Sequence, residues 1–379
     1  MTESPGHLST GQVLGLRVAA QLLHRPRWLH PAEVVRRLVG VQAQDMFAAP
    51  LAIRARTRSA TAAGVQGAID DDRSVVRTWA MRGTLHLLAA EDLPWVVPLV
   101  AAPQVAGSLR RLAQLGVPSD TADRAVEAVR RTLDRHGTRT RAELAETLRP
   151  MKVPERGQAV IHLIRLAALR GLLCYGPDRS GTPTFVLVRD WLGPASRGPN
   201  ADAVPAELGM RYLAAHGPAE PRDLAAWSGL GASQARSAWA AIEDRIVEVT
   251  TPNGALWTLR SGPRPQRGPV VRLVPAFDPF FLGWRTRQLS LPKRHERKVF
   301  PGGGMLRPAV LADGVAVATW TVTRRGDPRT VAISQFGRPE PAVRSAAADD
   351  AADVVRFLDP AARVKVDWKR SGDTSTGLP

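Results

Sequence analysis

The chain is poor in cysteine, lysine and tyrosine: of 379 residues, one is Cys, five are Lys and two are Tyr. A single cysteine excludes a disulfide framework and any zinc site built from several thiolates. Cys174 lies in Leu172-Leu173-Cys174-Tyr175 and reads as a small buried hydrophobe, not a nucleophile. Long apolar runs are also missing. The most apolar stretch, Leu93 to Ala106, is too short to cross a bilayer and is interrupted by Pro94, Pro98 and Pro103. The first ten residues, MTESPGHLST, have neither a basic n-region nor an apolar h-region. No signal peptide, no membrane contact and a cytoplasmic location, on the nucleoid when DNA is bound, are the expectations. The histidines show no metal-binding spacing, and Gly302-Gly303-Gly304 lacks the following Lys-Ser/Thr of a phosphate-binding loop. No metal and no cofactor are expected.

What the chain has in excess is arginine. Its 52 basic residues outnumber 35 acidic ones, for a net charge of +17. Arginine favoured by codon usage on a solvated surface is the bland explanation, but it would not readily leave so large an excess over Asp and Glu. A polyanionic partner is therefore the leading expectation.

Periodicity divides the chain into an α+β array. Helical spacing marks Leu16–Leu23, Pro31–Leu38 and Thr61–Asp70, followed by Val75–Leu88 as a strand pair turning at Arg82-Gly83. Trp79, Met81, Leu85 and Leu87 of that pair are expected to face the core. Helix, helix, helix, hairpin is the parts list of a winged helix, and it recurs. A second copy opens on the capping box Thr140-x-x-Glu143, continues through an apolar helix Gln158–Gly171, and ends in short strands Leu172–Tyr175 and Thr184–Val188 around a tip at Gly176–Pro183. A Pro/Gly/Ala-rich linker, Gly193–Pro205, leads to a third: helices Ala206–His216, Glu220–Ser228 and Gly231–Ile242, then strands Ile246–Val249 and Leu256–Leu259 around Pro252-Asn253-Gly254. From Val270 on, short alternating runs (Val270–Val274, Ala309–Leu311, Val315–Val322, Thr330–Gln335) suggest a small antiparallel sheet or barrel, closed by a helix near Pro341–Leu358 and a strand Arg363–Trp368. The expected divisions are 1–118, 119–200 and 201–265 for three winged helices, 266–370 for a β-barrel-like domain, and a disordered tail at 371–379.

Within the first unit, Val41-Gln42-Ala43-Gln44-Asp45-Met46 stands out. In extended backbone, Gln42 and Gln44 project to the same side about 7 Å apart. A bare Gln-x-Gln is more often an ordinary polar loop, so its surroundings decide. Asp45 reads as a cap or surface acid before it reads as a base. Arg82, Thr84 and His86 alternate on the hairpin face opposite the apolar set, which turns them either toward DNA or to solvent. The basic run of Arg285, Arg287, Lys293, Arg294, Arg297 and Lys298 is a candidate phosphate-binding surface. Arg324 and Arg325, at a hairpin tip, are candidates for the minor groove.

These segments, together with Arg77-Thr-Trp-Ala-Met-Arg-Gly-Thr-Leu-His-Leu, Val271-Arg-Leu-Val-Pro-Ala-Phe-Asp-Pro-Phe-Phe-Leu-Gly-Trp-Arg-Thr-Arg and Val299-Phe-Pro-Gly-Gly-Gly-Met-Leu-Arg-Pro, resemble the AlkZ-like family of winged-helix DNA glycosylases. The resemblance runs from about Leu8 to about Trp368. It implies three tandem winged helices and a barrel wrapped as a C around duplex DNA, with Gln42 and Gln44 as the catalytic pair. Family members also occur with an acid at the second position. With Gln44 there, the resemblance implies the branch that processes crosslinks and bulky adducts, as in self-resistance to a genotoxin.

Two neutral amides suit one kind of lesion. A purine alkylated at N7 carries a positive charge, so it departs as a neutral base without a general acid. What remains is to place water beside a sugar with oxocarbenium character, which an amide does by accepting and donating hydrogen bonds. The expected function is a monofunctional glycosylase acting, as a monomer, on double-stranded DNA that contains alkylated purines, including natural-product adducts and interstrand crosslinks. The alternative is a non-catalytic winged-helix regulator.

Overall fold

The computed structural model describes residues 6–25, 28–58, 60–154, 158–194, 198–264, 268–323 and 325–369. The chain begins with β1 (Gly6–His7), α1 (Thr10–Ala20), α2 (Pro31–Leu38), β2 (Val41–Gln42), α3 (Ala48–Arg54), α4 (Ala62–Asp70), β3 (Val75–Trp79) and β4 (Leu85–Ala89). Next come α5 (Leu93–Gln114), α6 (Ser119–His136), β5 (Arg139–Thr140), α7 (Arg141–Leu148), α8 (Ala159–Leu169), β6 (Leu173–Tyr175), β7 (Thr184–Leu187) and α9 (Val188–Leu192). A third stretch holds α10 (Val204–His216), α11 (Pro221–Ser228), α12 (Ala232–Ala240), β8 (Ile246–Thr251) and β9 (Gly254–Leu259). The remainder is β10 (Val271–Val274), α13 (Pro279–Leu282), α14 (Glu296–Val299), β11 (Ala309–Ala312), β12 (Val315–Val322), β13 (Arg329–Gln335), α15 (Pro341–Leu358) and β14 (Val364–Lys369).

Three small sheets follow one pattern, a hairpin joined by a two-residue third strand: β2-β4-β3, β5-β7-β6 and β1-β8-β9. The first two third strands are antiparallel additions. The third is β1, which crosses from the N-terminus to pair in parallel with β8, Gly6 opposite Val249. Periodicity cannot register a two-residue strand, so none of these additions was legible in the sequence.

Other differences have local causes. Helix α1 starts at Thr10, not Leu16, because Ser9 and Gln12 form a capping box: Ser9 N donates to Gln12 Oε1 at 2.8 Å and Gln12 N to Ser9 Oγ at 3.3 Å. The stretch from Leu93, expected to be broken by proline, is one 22-residue helix with Pro98 and Pro103 inside it. An interior proline costs a hydrogen bond and a clash. Here burial of Val96, Val97, Val100 and Leu112 between neighbouring elements outweighs that cost. Among the described residues no helix is long and apolar enough to cross a membrane.

The C-terminal strands make an open sheet, not a barrel. Its order is β10-β11-β12-β13-β14, with three antiparallel pairings and a parallel one between β13 and β14. The apolar face that a barrel would close upon is instead covered by α15, whose Ala347, Ala351, Val354, Val355 and Phe357 are buried. The same core includes Val34, Val35 and Leu38 of α2, Leu51 and Ile53 of α3, and Leu273, Val310, Trp320 and Ile333 of the sheet. First unit and terminal sheet therefore share one interior. The tail at 371–379 and Arg324 lie outside the described residues.

Candidate active site

Helix α2 ends in a tight turn that aims the next residues. Val39 is left-handed (φ 57°) and Gly40 has φ 122°, where a methyl group would come within 2.8 Å of Met81 Cε and 2.9 Å of Leu88 Cδ2. Only glycine lets the chain pass that close to β4. It then enters β2 with Val41 opposite Leu87 and Gln42 opposite His86. Ala43 N donates to Leu85 O at 2.7 Å, which keeps the backbone extended for one residue more. Val41 and Ala43 are fully buried, so Gln42 and Gln44 take the other side together, Gln42 buried and Gln44 exposed.

The two side chains touch. Gln42 Nε2 donates to Gln44 Oε1 at 2.7 Å, and Arg82 Nη2 donates to Gln42 Oε1 at 3.1 Å. The guanidinium sets the amide polarity. With its oxygen held by Arg82, Gln42 must present its NH₂ to Gln44. That leaves the second lone pair of Gln44 Oε1 and the Gln44 NH₂ at the exposed end of the chain. Each bond polarises the next, so a charge-assisted start strengthens the whole relay.

Arg82 reaches this position from a strained tip. Met81–Gly83 is a single 3₁₀ turn in which Arg82 is left-handed at φ 54° and Gly83 has φ 68°. The tip is gripped from two sides. Arg82 Nη1 donates to the Trp227 carbonyl at the end of α11, and a methyl at Gly229 would lie 3.2 Å from the Arg82 backbone N. On the other flank, a methyl at Gly83 would collide with Arg165 of α8 and Gln104 of α5. Three parts of the chain thus meet at the residue that orients Gln42. Burial lowers the affinity of Arg82 for its proton, and the charge of nearby Arg287 lowers it further. Burial also lowers the pKa of Arg165 and Arg287. Their hydrogen bonds are to neutral groups: Arg165 Nη2 donates to Gln104 Oε1 at 3.3 Å and Arg287 Nε to Phe281 O at 3.0 Å, while the Glu296 carboxylate acts on Arg287 through space. A half-desolvated guanidinium hydrogen-bonded only to neutral groups retains donors suited to an anion.

The other expected site residues are scattered. Asp45 is a local cap: its Oδ1 accepts from Phe47 N at 2.8 Å and its carbonyl from Ala49 N at 3.0 Å, opening α3. Thr84 Oγ1 donates to Met81 O, bracing the tip. His86 does not stand on an outward face. It is 3% exposed, with Nδ1 3.0 Å from Thr84 O, because β2 extends the hairpin at that edge, so that His86 lies inside the sheet opposite Gln42 and within the field of Arg82. In the basic run, Arg285 is exposed and lies 3.8 Å from Glu220, Lys293 and Arg294 are exposed, Arg294 donates to His295, and Lys298 Nζ lies over the Phe336 ring at 5.2 Å. Arg325 is exposed, far along the chain from the glutamines. Among the described residues no three His, Cys, Asp or Glu side chains converge as metal ligands.

Sequence reading passed over the buried ionic framework behind the site. Arg54 is fully buried and bonds Asp350 Oδ2 through both Nη1 and Nη2 at 3.1 Å, and Leu273 O at 2.6 Å. Arg56, also fully buried, makes a bidentate pair with Asp278 at 2.9 and 2.7 Å and donates to Gln21 Oε1 at 2.8 Å. Gln21 Nε2 in turn reaches His216 Nδ1 at 2.8 Å. One signal was available: Asp278 stands inside Phe277-Asp278-Pro279-Phe280-Phe281, where an acid amid aromatics calls for a buried partner.

The two buried histidines predict acid lability. Burial, together with neighbouring arginines, holds His86 and His216 at about 3, against 6.5 when exposed. Between these values the unfolded chain binds protons that the folded chain refuses, so stability falls as pH drops below 6.5. At pH 5 each residue should cost about 2 kcal/mol relative to neutral pH. His216→Asn should flatten that slope by about half in urea melts at pH 5 and 7. An unchanged slope would mean that His216 is not kept neutral.

The profile of the DNA glycosylase AlkZ-like family matches residues 35–357. The interstrand DNA cross-link repair glycosylase of Streptomyces sahachiroi is 29% identical over 329 residues, covering 82% of this chain and 87% of that protein. The solved structure of Streptomyces sahachiroi DNA glycosylase AlkZ superposes with a TM-score of 0.82 at 26% identity, covering 96% of this chain and all of that one. The profile begins within α2 and takes in β2 with its glutamine pair, the Arg82 tip and strands β10 to β13 of the terminal sheet. This chain belongs to the AlkZ-like family of DNA glycosylases and is a DNA glycosylase itself.

Proposed function

We propose that the chain is a monofunctional glycosylase that hydrolyses the N-glycosidic bond of N7-alkylated purines in duplex DNA, including bulky adducts and interstrand crosslinks, as a cytoplasmic monomer in DNA repair and self-resistance to a genotoxin. The observation that carries this reading is the relay from Arg82 through Gln42 to Gln44. In the proposed mechanism the glycosidic electron pair leaves with the cationic purine, which departs neutral, while the second lone pair of Gln44 Oε1 accepts a hydrogen bond from the water that bonds to C1′ and loses its proton to solvent; the Gln44 NH₂ donates to a sugar or phosphate oxygen. No group in the relay is a strong base. Because Gln44 Oε1 already accepts one hydrogen bond, it activates water weakly, which suffices only where the base departs by virtue of its own positive charge. Normal purines are spared for the same reason.

The three helix-and-hairpin units would then act as winged helices around the duplex, with Arg82, Arg165 and Arg287 receiving phosphates close to the lesion. Thr84 and His86 support the tip from behind, while Arg285, Lys293, Arg294, Lys298, Arg324 and Arg325 extend the cationic surface for backbone contacts. The name of the crosslink-repair relative supports the wider substrate range.

The test is incubation with duplex DNA carrying a single N7-methylguanine, followed by alkaline cleavage at abasic sites. Strand breaks should appear at the lesion only after alkali, and a duplex joined by an N7-alkyl crosslink should be released to single strands. Undamaged guanine should stay intact over the same time. Breaks that appear without alkali, or equal loss of undamaged purines, would sink the monofunctional, cation-selective reading.

A further inference from the structure

Three large apolar side chains stand exposed among the described residues, Trp28, Met305 and Val364, and of these only Met305 lies at a glycine turn. Met305 is 53% exposed at the end of Gly302-Gly303-Gly304. The turn closes on itself, Met305 N donating to Gly302 O at 3.1 Å. All three glycines have positive φ, from 61° to 112°, and a methyl on any of them would meet nothing within 4 Å. The turn therefore stands clear of the body. Its feet are fixed: Val299 and Leu306 are buried, and Arg307 N donates to Val299 O at 2.8 Å. A firmly rooted narrow turn, with Gly303-Gly304 at its apex, carries a single large apolar side chain where the turn closes.

The foot of the turn is linked to the glutamines through two arginines. Phe300, at one foot, sits under the Arg287 guanidinium at 4.3 Å, and Arg287 is the charge felt by Arg82, which bonds Gln42. From Phe300 to Met305 the chain can reach at most about 17 Å, or about five base steps. Arg294 and Arg297 are exposed beside the root, and Lys298 and Arg307 belong to it. An apolar tip within a collar of cations matches a duplex, whose phosphates face the collar while its base stack can admit an apolar side chain.

Resting on the glycosylase function above, we propose that Met305 is a wedge: it enters the base stack of the duplex beside the lesion and displaces the alkylated nucleotide toward Gln42 and Gln44. An unbranched thioether suits the task, being thin, adaptable and polarisable against an aromatic base. Unstacking costs least at a damaged step, so a wedge also favours lesions over intact sequence.

The experiment uses the full chain, a duplex with N7-methylguanine, and 2-aminopurine in the adjacent step, whose fluorescence rises when it is unstacked. Wild type should brighten the probe on binding. Met305→Ala should keep the wild-type Tm and bind within about threefold, yet lose most of the brightening and excise about tenfold or more slowly in single turnover. Met305→Leu should restore both. A Met305→Ala protein that brightens the probe and excises like wild type overturns the wedge while leaving the glycosylase function standing. If wild type itself does not excise N7-methylguanine, the glycosylase site fails and the wedge fails with it.

Discussion

Excision of N7-methylguanine should slow by about 10²–10³-fold in Gln44→Ala, a loss of about 3–4 kcal/mol of transition-state stabilisation. Gln44 is exposed and, among the described residues, its side chain bonds the partner amide alone, so this substitution removes a positioning group at little cost to folding. Gln42→Ala should slow excision as much, with an added loss of stability of about 1–3 kcal/mol, because Arg82 Nη2 loses its acceptor in a buried setting. The double mutant should be less than additive, since the two amides form one relay. Gln42→Glu separates orientation from charge. A carboxylate pairs well with Arg82 but has no hydrogen to give Gln44, so Tm should hold or rise while excision falls. Gln44→Asp keeps an acceptor and should retain partial activity on small adducts. The measurements are single-turnover excision, DNA affinity and thermal melts on each variant. Wild-type rates in both alanine variants, with DNA binding intact, would reduce the pair to a structural loop.

Asp350→Ala should bring the protein close to unfolding. The carboxylate is 4% exposed and faces Arg54 at 3.1 Å, Arg25 at 3.0 Å and Arg272 at 3.6 Å, while accepting from Leu273 N at 2.7 Å. Burial alone would raise its pKa, but three guanidiniums overcome that and hold it below the usual carboxylate value. Its stabilising contribution is therefore complete above the unfolded-state pKa and is lost only as pH falls through the depressed folded-state value. Removing it leaves Arg54, with no exposure at all, dependent on Asp353. Breaking a buried pair from one side costs about 3–5 kcal/mol, which for a chain of 379 residues should lower Tm by about 4–6 °C. Replacing Arg54 and Asp350 together with apolar residues of similar volume should recover part of the loss. The point of failure is specific, because Asp350 ties α15 to α3 and β10 and so holds the terminal sheet against the unit that carries the glutamines. A Tm within about 1 °C of wild type would show that the shared core needs no ionic tie.

Much of this was legible from local pattern. The Thr140 capping box, the apolar helix before Gly171 and the hairpin at Pro252-Asn253-Gly254 each rest on interactions within a few residues, and each appears close to where the sequence places it. Gln42 and Gln44 were legible as a pair because alternation in extended backbone puts both on one side, whatever lies around them. Arg82 was legible as a turn residue, though not as the residue that orients Gln42.

What the sequence by itself determined was which residue types sit at which local positions: the glutamines in extended backbone, the Arg82-Gly83 turn, the cationic excess and the repeated helix–hairpin order. Only the tertiary structure decided which of them meet. Arg82 was brought to Gln42 by a tip clasped between α8 and α11, with Arg82 and Trp227 145 residues apart. The same long-range packing buried His86, kept α5 whole through two prolines and left the terminal sheet open under α15. The physical reason is one of range. Periodicity, capping and turn chemistry act over a few residues, whereas burial and the pairing of buried charges depend on contacts between segments remote in the chain, which no local pattern encodes.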